Sequence, residues 1–323
     1  MRAVICTKYG PPEVLQLAEV EQPTPKDDEV RIKIFATAVT ASDGIVRGFK
    51  LPIWHPLGLL MGLVVGFGKP RNPILGMVLA GEVEATGQDV AQFKVGDPVF
   101  ASTGTRFGCY AEYICLPEKS KKGLPAQIPS VMTLKPTNMT YEEAAALPYG
   151  GLLALLFLRK GNIQSGQNVL IYGASGAIGT AAVQIARAFG NTVTGVCSTR
   201  NIEMVQSLGA NRVIDYTAED ATSKLERYDL VLDAVGKRKS SALKKRCKEA
   251  LTPQGQYVSV DDGNPKPTLE LLTTIKDLVE AGKIKPIIDR TYPLEQMAEA
   301  HRYVDTGHKK GNVVITVAHN DAP

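Results

Sequence analysis

Metal-binding and disulfide-forming residues are scarce in this sequence. Its 323 residues include four histidines and five cysteines, and no two cysteines form a Cys-x-x-Cys pair. Scattered cysteines in an odd number are typical of reduced, mostly buried thiols in a cytoplasmic protein. The composition therefore argues against a disulfide framework and against a zinc site built from closely spaced cysteines.

Charge runs and long apolar runs are equally rare. The formal net charge is +4 with 22% charged residues, and the short basic clusters at 119–122 and 244–246 lack the interleaved aromatic residues of a nucleic-acid site. No apolar run approaches the roughly 20 residues of a membrane span, and the first residues lack signal-peptide anatomy. We therefore expect a cytoplasmic protein with no nucleic-acid partner and no membrane span.

One apolar stretch without charge does stand out, at residues 57–67, where Gly58, Gly62 and Gly66 are four residues apart. On a helix these glycines share a face and allow the close approach of a neighbour. The stretch predicts a buried or pocket-covering helix or loop. A weak contact with a membrane surface or a hydrophobic partner stays open as the alternative.

A second distinctive stretch joins a strand to a helix through three glycines. The apolar run at 169–172 is typical of a buried parallel strand, and an Ala-rich helical pattern follows the glycines. In a dinucleotide site, Gly173 would permit the tight turn, Gly176 the approach of a pyrophosphate, and Gly179 the close packing of helix on strand. The helix N-terminus would face the phosphates. A strand–helix corner without a ligand is the open alternative. The predicted dinucleotide loop consists of Gly173, Ala174, Ser175, Gly176, Ala177, Ile178 and Gly179.

The end of the next strand distinguishes between the two nicotinamide dinucleotides. NAD sites usually place a carboxylate there to accept a hydrogen bond from the ribose 2′-hydroxyl. This strand, at 192–197, is instead followed by Ser198, Thr199 and Arg200. Two hydroxyls and a guanidinium suit a 2′-phosphate. The sequence therefore predicts NADPH, with a solvated Arg200 at a helix N-terminus as the alternative.

Two patterns divide the chain. Residues 1 to about 125 contain short strands separated by frequent turn signals, which favours a small β-rich barrel. Thr140 and Glu143 form a capping-box pattern that predicts the start of a helix. Strands and helices then alternate to about residue 260, which is typical of a doubly wound parallel sheet.

Seven stretches, in order along the whole chain, carry a family resemblance. They are residues 8–15, 95–100, 144–148, 173–179, 208–216, 233–236 and 307–315. With them the sequence resembles the medium-chain dehydrogenase/reductase superfamily, in its zinc-independent quinone oxidoreductase branch. The resemblance implies an α/β fold, with a Rossmann-type doubly wound domain at 126–265 and a β-rich GroES-like catalytic domain built from 1–125 and 266–323. It also implies a homodimer.

The resemblance bears on metal content through two positions. Zinc-bearing relatives carry a Cys shortly before an Asp near position 40, and a Gly-His-Glu near position 76. This sequence has Thr40 before Asp43, and Gly76 is followed by Met77 and Val78. Because neither Thr nor Met is a usual zinc ligand, we expect no metal. Without a metal to polarise an oxygen, an already electrophilic acceptor is the easier substrate. We therefore expect NADPH-driven reduction of a quinone or an α,β-unsaturated carbonyl.

The resemblance also assigns roles to single positions. It implies Ser198, Thr199, Arg200 and Tyr216 at the adenosine ribose phosphate; Ala234, Val235, Gly236, Ser259 and Val260 at the nicotinamide and its ribose; Lys310 and Asn312 returning toward the cofactor; and Thr40, Asp43 and Tyr149 at the substrate floor. A purely structural role for Asp43 as a hydrogen-bond acceptor stays open. Two other functions also stay open: an enoyl-thioester reductase of the same fold, and a non-catalytic NADPH-binding sensor or scaffold.

Overall fold

The structure is a computed structural model that describes residues 1–49, 56–119, 127–238, 241–263 and 266–319. Within these ranges the strands are β1 (Arg2–Cys6), β2 (Leu15–Glu19), β3 (Glu29–Val39), β4 (Val78–Thr86), β5 (Pro98–Ser102), β6 (Tyr113–Pro117), β7 (Val131–Leu134), β8 (Asn168–Tyr172), β9 (Thr192–Cys197), β10 (Arg212–Asp215), β11 (Tyr228–Asp233), β12 (Leu251–Ser259), β13 (Ile288–Pro293) and β14 (Asn312–Thr316). The α-helices are α1 (Ala41–Gly48), α2 (Pro56–Val65), α3 (Tyr141–Lys160), α4 (Ala177–Ala188), α5 (Ile202–Ser207), α6 (Ala242–Glu249), α7 (Leu269–Glu280) and α8 (Met297–Asp305).

The chain divides into two compact units, and the divisions differ from the predicted domain boundaries. Unit 1 comprises Met1–Tyr149, Lys266–Thr273 and Ile288–Pro323, and unit 2 comprises Gly150–Pro265 and Thr274–Ile287. Strand β7 lies beyond the predicted boundary at 125, and it pairs with β5 in the sheet of unit 1. The predicted C-terminal range of the catalytic domain, 266–323, includes Thr274–Ile287, which belong to unit 2. There Gln184 of α4 exchanges hydrogen bonds with the backbone of Lys285.

Unit 1 is built on a largely antiparallel sheet in the order β13-β14-β3-β4-β5-β7, with β6 pairing to β3. Its long central strand, β3, buries Val30, Ile32 and Ile34 completely, as the predicted alternation requires. The C-terminal strand β14 pairs antiparallel with β3. Both chain ends therefore build this unit, which confirms the expected β-rich catalytic domain of GroES-like type.

Unit 2 contains a five-stranded sheet in the order β10-β9-β8-β11-β12, in which every pairing is parallel. Val169, Leu170 and Ile171 of the central strand β8 are completely buried, because helices cover both faces of a parallel sheet. Parallel strands bring all their carboxyl ends to one edge, where ligands bind in open α/β sheets. The predicted doubly wound Rossmann-type fold is confirmed.

Helix α3 begins where the capping-box pattern predicts. The Thr140 N–H donates to the Glu143 carboxylate (3.1 Å), and the Glu143 N–H donates to the Thr140 hydroxyl (3.2 Å). The helix continues through Pro148 to Lys160 as one element. The helix that Thr140 and Glu143 begin is therefore 20 residues long and includes both Tyr141 and Tyr149.

Helix α2 occupies most of the apolar stretch at 57–67. Gly58 and Gly62 are buried as expected, but Leu59 and Leu63 are exposed. Of the predicted forms, the helix is present, but it is not buried on every side, because Leu59 and Leu63 are exposed. In the part of the chain that the structure describes, no helix has the length and apolarity that a membrane crossing needs.

Candidate functional site

Two of the three glycines after β8 are required by packing within the protein. Gly173 has a φ of +85°, and a Cβ there would lie 2.5 Å from a methyl group of Val235. A Cβ on Gly179 would lie 2.1 Å from the carbonyl oxygen of Gly173. The tight turn and the close approach of helix to strand, which the sequence predicts for these two positions, are both present.

Gly176 is different because, among the described residues, no atom would be crowded by a side chain at this position. A Cβ at this position would meet no atom closer than the Gly173 oxygen at 3.7 Å. Gly176 is also the N-cap of α4, and no side chain caps the helix there. The open space above an uncapped helix N-terminus, with its positive dipole end, suits a phosphate group. This geometry fits a dinucleotide.

The adjacent strand ends bring together the residues predicted for the adenosine ribose. Tyr216 follows β10, and its backbone N–H donates to the carbonyl of Cys197 at the end of β9 (3.0 Å). Thr199, Arg200 and Tyr216 are exposed and Ser198 is half-buried. The structure therefore collects these four residues at one corner of the sheet.

A carboxylate that the sequence interpretation missed stands at the same corner. Asp215 lies opposite Cys197 in the β9–β10 pairing. It accepts hydrogen bonds from the hydroxyls of Thr199 (2.5 Å) and Thr217 (2.6 Å) and from the Thr217 N–H (2.9 Å). Burial raises the pKa of Asp215, but these hydrogen bonds outweigh it and hold the pKa below its ordinary value. The sequence interpretation considered only the residues that follow β9, whereas Asp215 ends the neighbouring strand β10.

The carboxylate of Asp233, at the end of β11, organises the turn predicted to line the nicotinamide ribose. Asp233 is only 2% exposed. One carboxylate oxygen accepts from the N–H groups of Val235 and Gly236, both at 3.1 Å. The other accepts from the Tyr257 hydroxyl at 3.0 Å. The turn at 234–236 thus takes its shape from one buried side chain.

Lys244 of α6 neutralises that carboxylate. Its ammonium lies 2.6 Å from Asp233, and the side chains are 13% and 2% exposed. Lys244 also donates to the carbonyl of Gly236, so it holds the turn from the opposite side. A buried ion pair of this kind costs desolvation energy and is retained where geometry matters. The sequence interpretation assigned no role to either residue.

Ser259 and Val260 lie at the end of β12, next to the same carboxylate. The Ser259 hydroxyl is 3.4 Å from Asp233, and the Val260 N–H donates to the Asp233 carbonyl (3.0 Å). The structure therefore groups Ser259 and Val260 with Ala234, Val235 and Gly236, as the predicted nicotinamide site requires.

In unit 1, Thr40 and Asp43 form a capping box at the start of α1. The Asp43 carboxylate accepts from the Thr40 N–H (2.8 Å) and hydroxyl (2.6 Å). The Asp43 N–H donates to the Thr40 hydroxyl oxygen (3.3 Å). Since the Thr40 proton is committed to Asp43, and both residues are buried, a structural role accounts for this pair without chemistry on a substrate.

A buried chain of polar side chains continues from Asp43. Arg47 Nη1 lies 2.9 Å from His301 Nδ1, and His301 Nε2 lies 3.1 Å from the Tyr110 hydroxyl. A guanidinium can only donate, so His301 accepts at Nδ1 and donates from Nε2 to Tyr110. The Tyr110 oxygen accepts this bond, so the Tyr110 hydroxyl can donate its own proton to Asp43. Asp305 closes the outer end with a 2.6 Å ion pair to Arg47.

Burial shifts the pKa values of Asp43 and His301, two members of this row of buried polar side chains, in opposite directions. Burial raises the pKa of Asp43 from 3.8 to about 6, although hydrogen bonds from Thr40 and Tyr110 lower it. The second Asp43 oxygen has no hydrogen bond of good geometry. Burial, assisted by the nearby charge of Arg47, lowers the pKa of His301 from 6.5 to about 3.

Tyr149 has a partner that the sequence interpretation missed. Its hydroxyl lies 3.0 Å from the hydroxyl of Ser42, in the first turn of α1. Both residues are half-buried. In this pair either oxygen can be the donor, whereas the Thr40 hydroxyl donates to Asp43. The two positions are 107 residues apart, and no local pattern links them.

Lys310 and Asn312 lie in unit 1, at the beginning of β14. In the antiparallel pairing Val313 lies opposite Val39, so Asn312 and Thr40 share one end of that sheet. The Lys310 N–H donates to the Asp289 carboxylate (2.9 Å). The remaining residues predicted for the cofactor belong to unit 2.

The positions that hold zinc ligands in zinc-bearing relatives do not fit a zinc ion here. Thr40 uses its hydroxyl on Asp43, and Met77 offers a thioether, which zinc sites do not use. Among the described ranges, no group of three or more His, Cys, Asp or Glu side chains is arranged to hold a metal.

Comparison with known proteins identifies the family. A model described as "Alcohol dehydrogenase GroES-like domain" matches residues 26–126, and two described as "Zinc-binding dehydrogenase" match residues 177–288 and 264–315. The "2-methylene-furan-3-one reductase" of Solanum lycopersicum is 32% identical, with 98% of this chain and 79% of that protein covered. The "NADPH-dependent alkenal/one oxidoreductase, chloroplastic" of Arabidopsis thaliana is 29% identical over the same shares.

The solved quinone oxidoreductase from Coxiella burnetii superposes with a TM-score of 0.81 at 25% identity, covering 98% of this chain and 99% of that one. The chain therefore belongs to the medium-chain dehydrogenase/reductase superfamily, in its quinone oxidoreductase branch. It is an oxidoreductase that uses a nicotinamide cofactor.

Proposed function

We propose that this protein reduces quinones or α,β-unsaturated carbonyl compounds with NADPH and without a metal. The observation that carries the proposal is the replacement of the zinc ligands by Thr40, whose hydroxyl is committed to Asp43, and by Met77. Without Lewis-acid help, the acceptor must already be electrophilic. The names of the relatives agree with this class of substrate.

Bound NADPH would supply the hydride, and the Gly176 corner and the turn at 234–236 would hold it. The protein then needs a donor for the oxygen on which negative charge develops. Tyr149 and Ser42 form the hydroxyl pair that meets this need, since each can donate to an acceptor oxygen while its partner replaces the proton. We assign Thr40 and Asp43 to shaping the start of α1.

Replacing Tyr149 by Phe tests this assignment. We expect kcat with a 1,4-quinone or an alkenal to fall by about 10- to 100-fold, because general-acid help typically contributes at least that much. The Kd for NADPH should be unchanged. Ser42→Ala should lower kcat less, and Tyr141→Phe on the same helix is the matched control. Steady-state NADPH oxidation measures all three, and equal kcat values for Tyr149→Phe and Tyr141→Phe would refute the role.

The cofactor preference depends on Arg200. We expect Arg200→Ala to weaken the binding of NADPH by roughly 1.5–3 kcal/mol, the usual value of a charged hydrogen bond. The binding of NADH should be nearly unchanged. Asp215→Asn should have the opposite effect and strengthen the binding of NADPH, because it removes a negative charge beside the proposed site of the 2′-phosphate. Fluorescence titration with both nucleotides measures this. Equal losses for both cofactors in Arg200→Ala would show that Arg200 does not bind the phosphate.

A substrate panel separates the remaining functions. NADPH consumption with enoyl-CoA esters alone would favour an enoyl-thioester reductase, and tight NADPH binding with no consumption of any acceptor would favour a sensor or scaffold. We further propose a homodimer, on the family resemblance, and a reducing compartment such as the cytoplasm. The five buried, unpaired cysteine thiols support the second proposal.

A further inference from the structure

Helix α2 differs from ordinary surface helices in having no polar side. Its sequence is PLGLLMGLVV, whereas a surface helix normally turns charged or polar residues toward water. Leu59 and Leu63 are each 49% exposed, and Phe67, just beyond the helix, is 47% exposed. Leu59 and Leu63 are one turn apart on one face of the helix. Phe67 follows the helix, after Gly66 ends it with a φ of +114°.

The exposed face belongs to a firmly attached helix. Val65 is buried in the core of unit 1. The Tyr9 hydroxyl donates to the carbonyl of Gly66 (2.9 Å), and the Tyr9 ring lies 4.9 Å from the ring of Phe49 at the end of α1. A Cβ on Gly62 would lie 2.2 Å from the Phe67 ring. The ring therefore packs into the space that this glycine leaves, beside the leucines.

The charged residues nearest to this face along the chain have one sign. No Asp or Glu occurs between Asp43 and Glu82. Lys69 and Arg71 lie two and four residues after Phe67, and both are exposed. Neither forms an ion pair with another residue in the described part of the chain. An apolar stripe bordered by cations is the arrangement of helices that lie in the surface of an anionic membrane.

We propose that the α2 surface, defined as Leu59, Leu63, Phe67, Lys69 and Arg71, docks on anionic phospholipid bilayers. The three apolar side chains would enter the boundary between headgroups and acyl chains, and the two cations would bind phosphate groups. A second copy of the chain fits less well. A symmetric pairing through this face would place four cations, Lys69 and Arg71 of each copy, around one small apolar contact. Three half-exposed side chains also cover far less than the roughly 800 Å² per partner of a stable interface.

Vesicle flotation tests the proposal directly. The wild-type protein should float with phosphatidylcholine vesicles that contain about 30% phosphatidylglycerol, and about tenfold less with pure phosphatidylcholine. The combined substitution Leu59→Glu and Leu63→Glu should lower binding about tenfold or more. Lys69→Glu with Arg71→Glu should lower it on anionic vesicles, and high salt should mimic that loss. Val95→Glu, at a 63% exposed position elsewhere, is the matched control.

Circular dichroism establishes that each variant is folded. Absence of flotation, equal binding to neutral vesicles, or equal loss in Val95→Glu would overturn the proposal. So would self-association, seen by sedimentation velocity, that Leu59→Glu with Leu63→Glu abolishes, because the occupant would then be a second copy.

Discussion

Asp233→Ala is expected to lower the free energy of unfolding by about 3–5 kcal/mol, the usual cost of removing one partner of a buried ion pair. The substitution removes the carboxylate that lies 2.6 Å from the ammonium of Lys244, whose side chain is only 13% exposed. It also leaves the N–H groups of Val235 and Gly236 without their acceptor. Urea unfolding followed by circular dichroism measures the loss.

The same variant should weaken the binding of NADPH and of NADH by the same factor. The turn at 234–236 is proposed to contact the nicotinamide ribose, which both cofactors have. This separates Asp233 from Arg200, whose loss should affect NADPH alone. Asp229→Asn is the matched control, since Asp229 lies at the other end of β11 and accepts from Asn168 and Thr252 near the surface. A loss in Asp229→Asn as large as that in Asp233→Ala would contradict the assignment.

A double-mutant cycle measures the ion pair itself. Asp233→Asn keeps an acceptor for the turn but removes the charge, and Lys244→Met removes the cation while filling similar space. Because the two groups stabilise each other, the double variant should lose about 1–3 kcal/mol less than the sum of the single losses. Additive losses would mean that the two residues act independently.

Asp43→Asn should change how the stability of the protein depends on pH. The pKa of Asp43 is about 6 in the folded protein and 3.8 ordinarily, so the folded state binds this proton more tightly. The contribution of Asp43 to stability is therefore complete below about pH 4 and is lost as the pH rises to about 6. The difference amounts to about 3 kcal/mol.

The variant lacks this titration. Its free energy of unfolding, relative to the wild type, should rise by about 2–3 kcal/mol between pH 4 and pH 7. Denaturant unfolding of both proteins across that range gives the difference, in which the other carboxylates cancel. A difference that stays constant, or that falls as the pH rises, would show that Asp43 is ionised in the fold.

His301→Gln provides a comparison of opposite sign. The pKa of His301 is about 3 in the fold and 6.5 ordinarily, so the unfolded state binds its proton more tightly. The contribution of His301 is present above pH 6.5 and is lost as the pH falls toward 3. Relative to the wild type, this variant should therefore gain stability as the pH falls, whereas Asp43→Asn gains as it rises.

Local patterns in the sequence determined the features that depend on neighbours along the chain. The run before Gly173 and the spacing to Gly179 specified a strand, a turn and a helix, and Thr140 with Glu143 specified the start of α3. Turn residues, caps and hydrophobic periods act over a few residues, so a single sequence contains them in full. The family resemblance then supplied the two-domain organisation.

Only the tertiary structure decided which distant side chains meet. Asp215 reaches Thr199 because β10 pairs with β9, and Lys244 reaches Asp233 because α6 returns to the end of β11. Ser42 meets Tyr149 across 107 residues. Composition likewise favoured a buried α2, but packing left one of its faces exposed. Strand register and helix packing are set by the whole chain at once, so no local pattern records the contacts that they create.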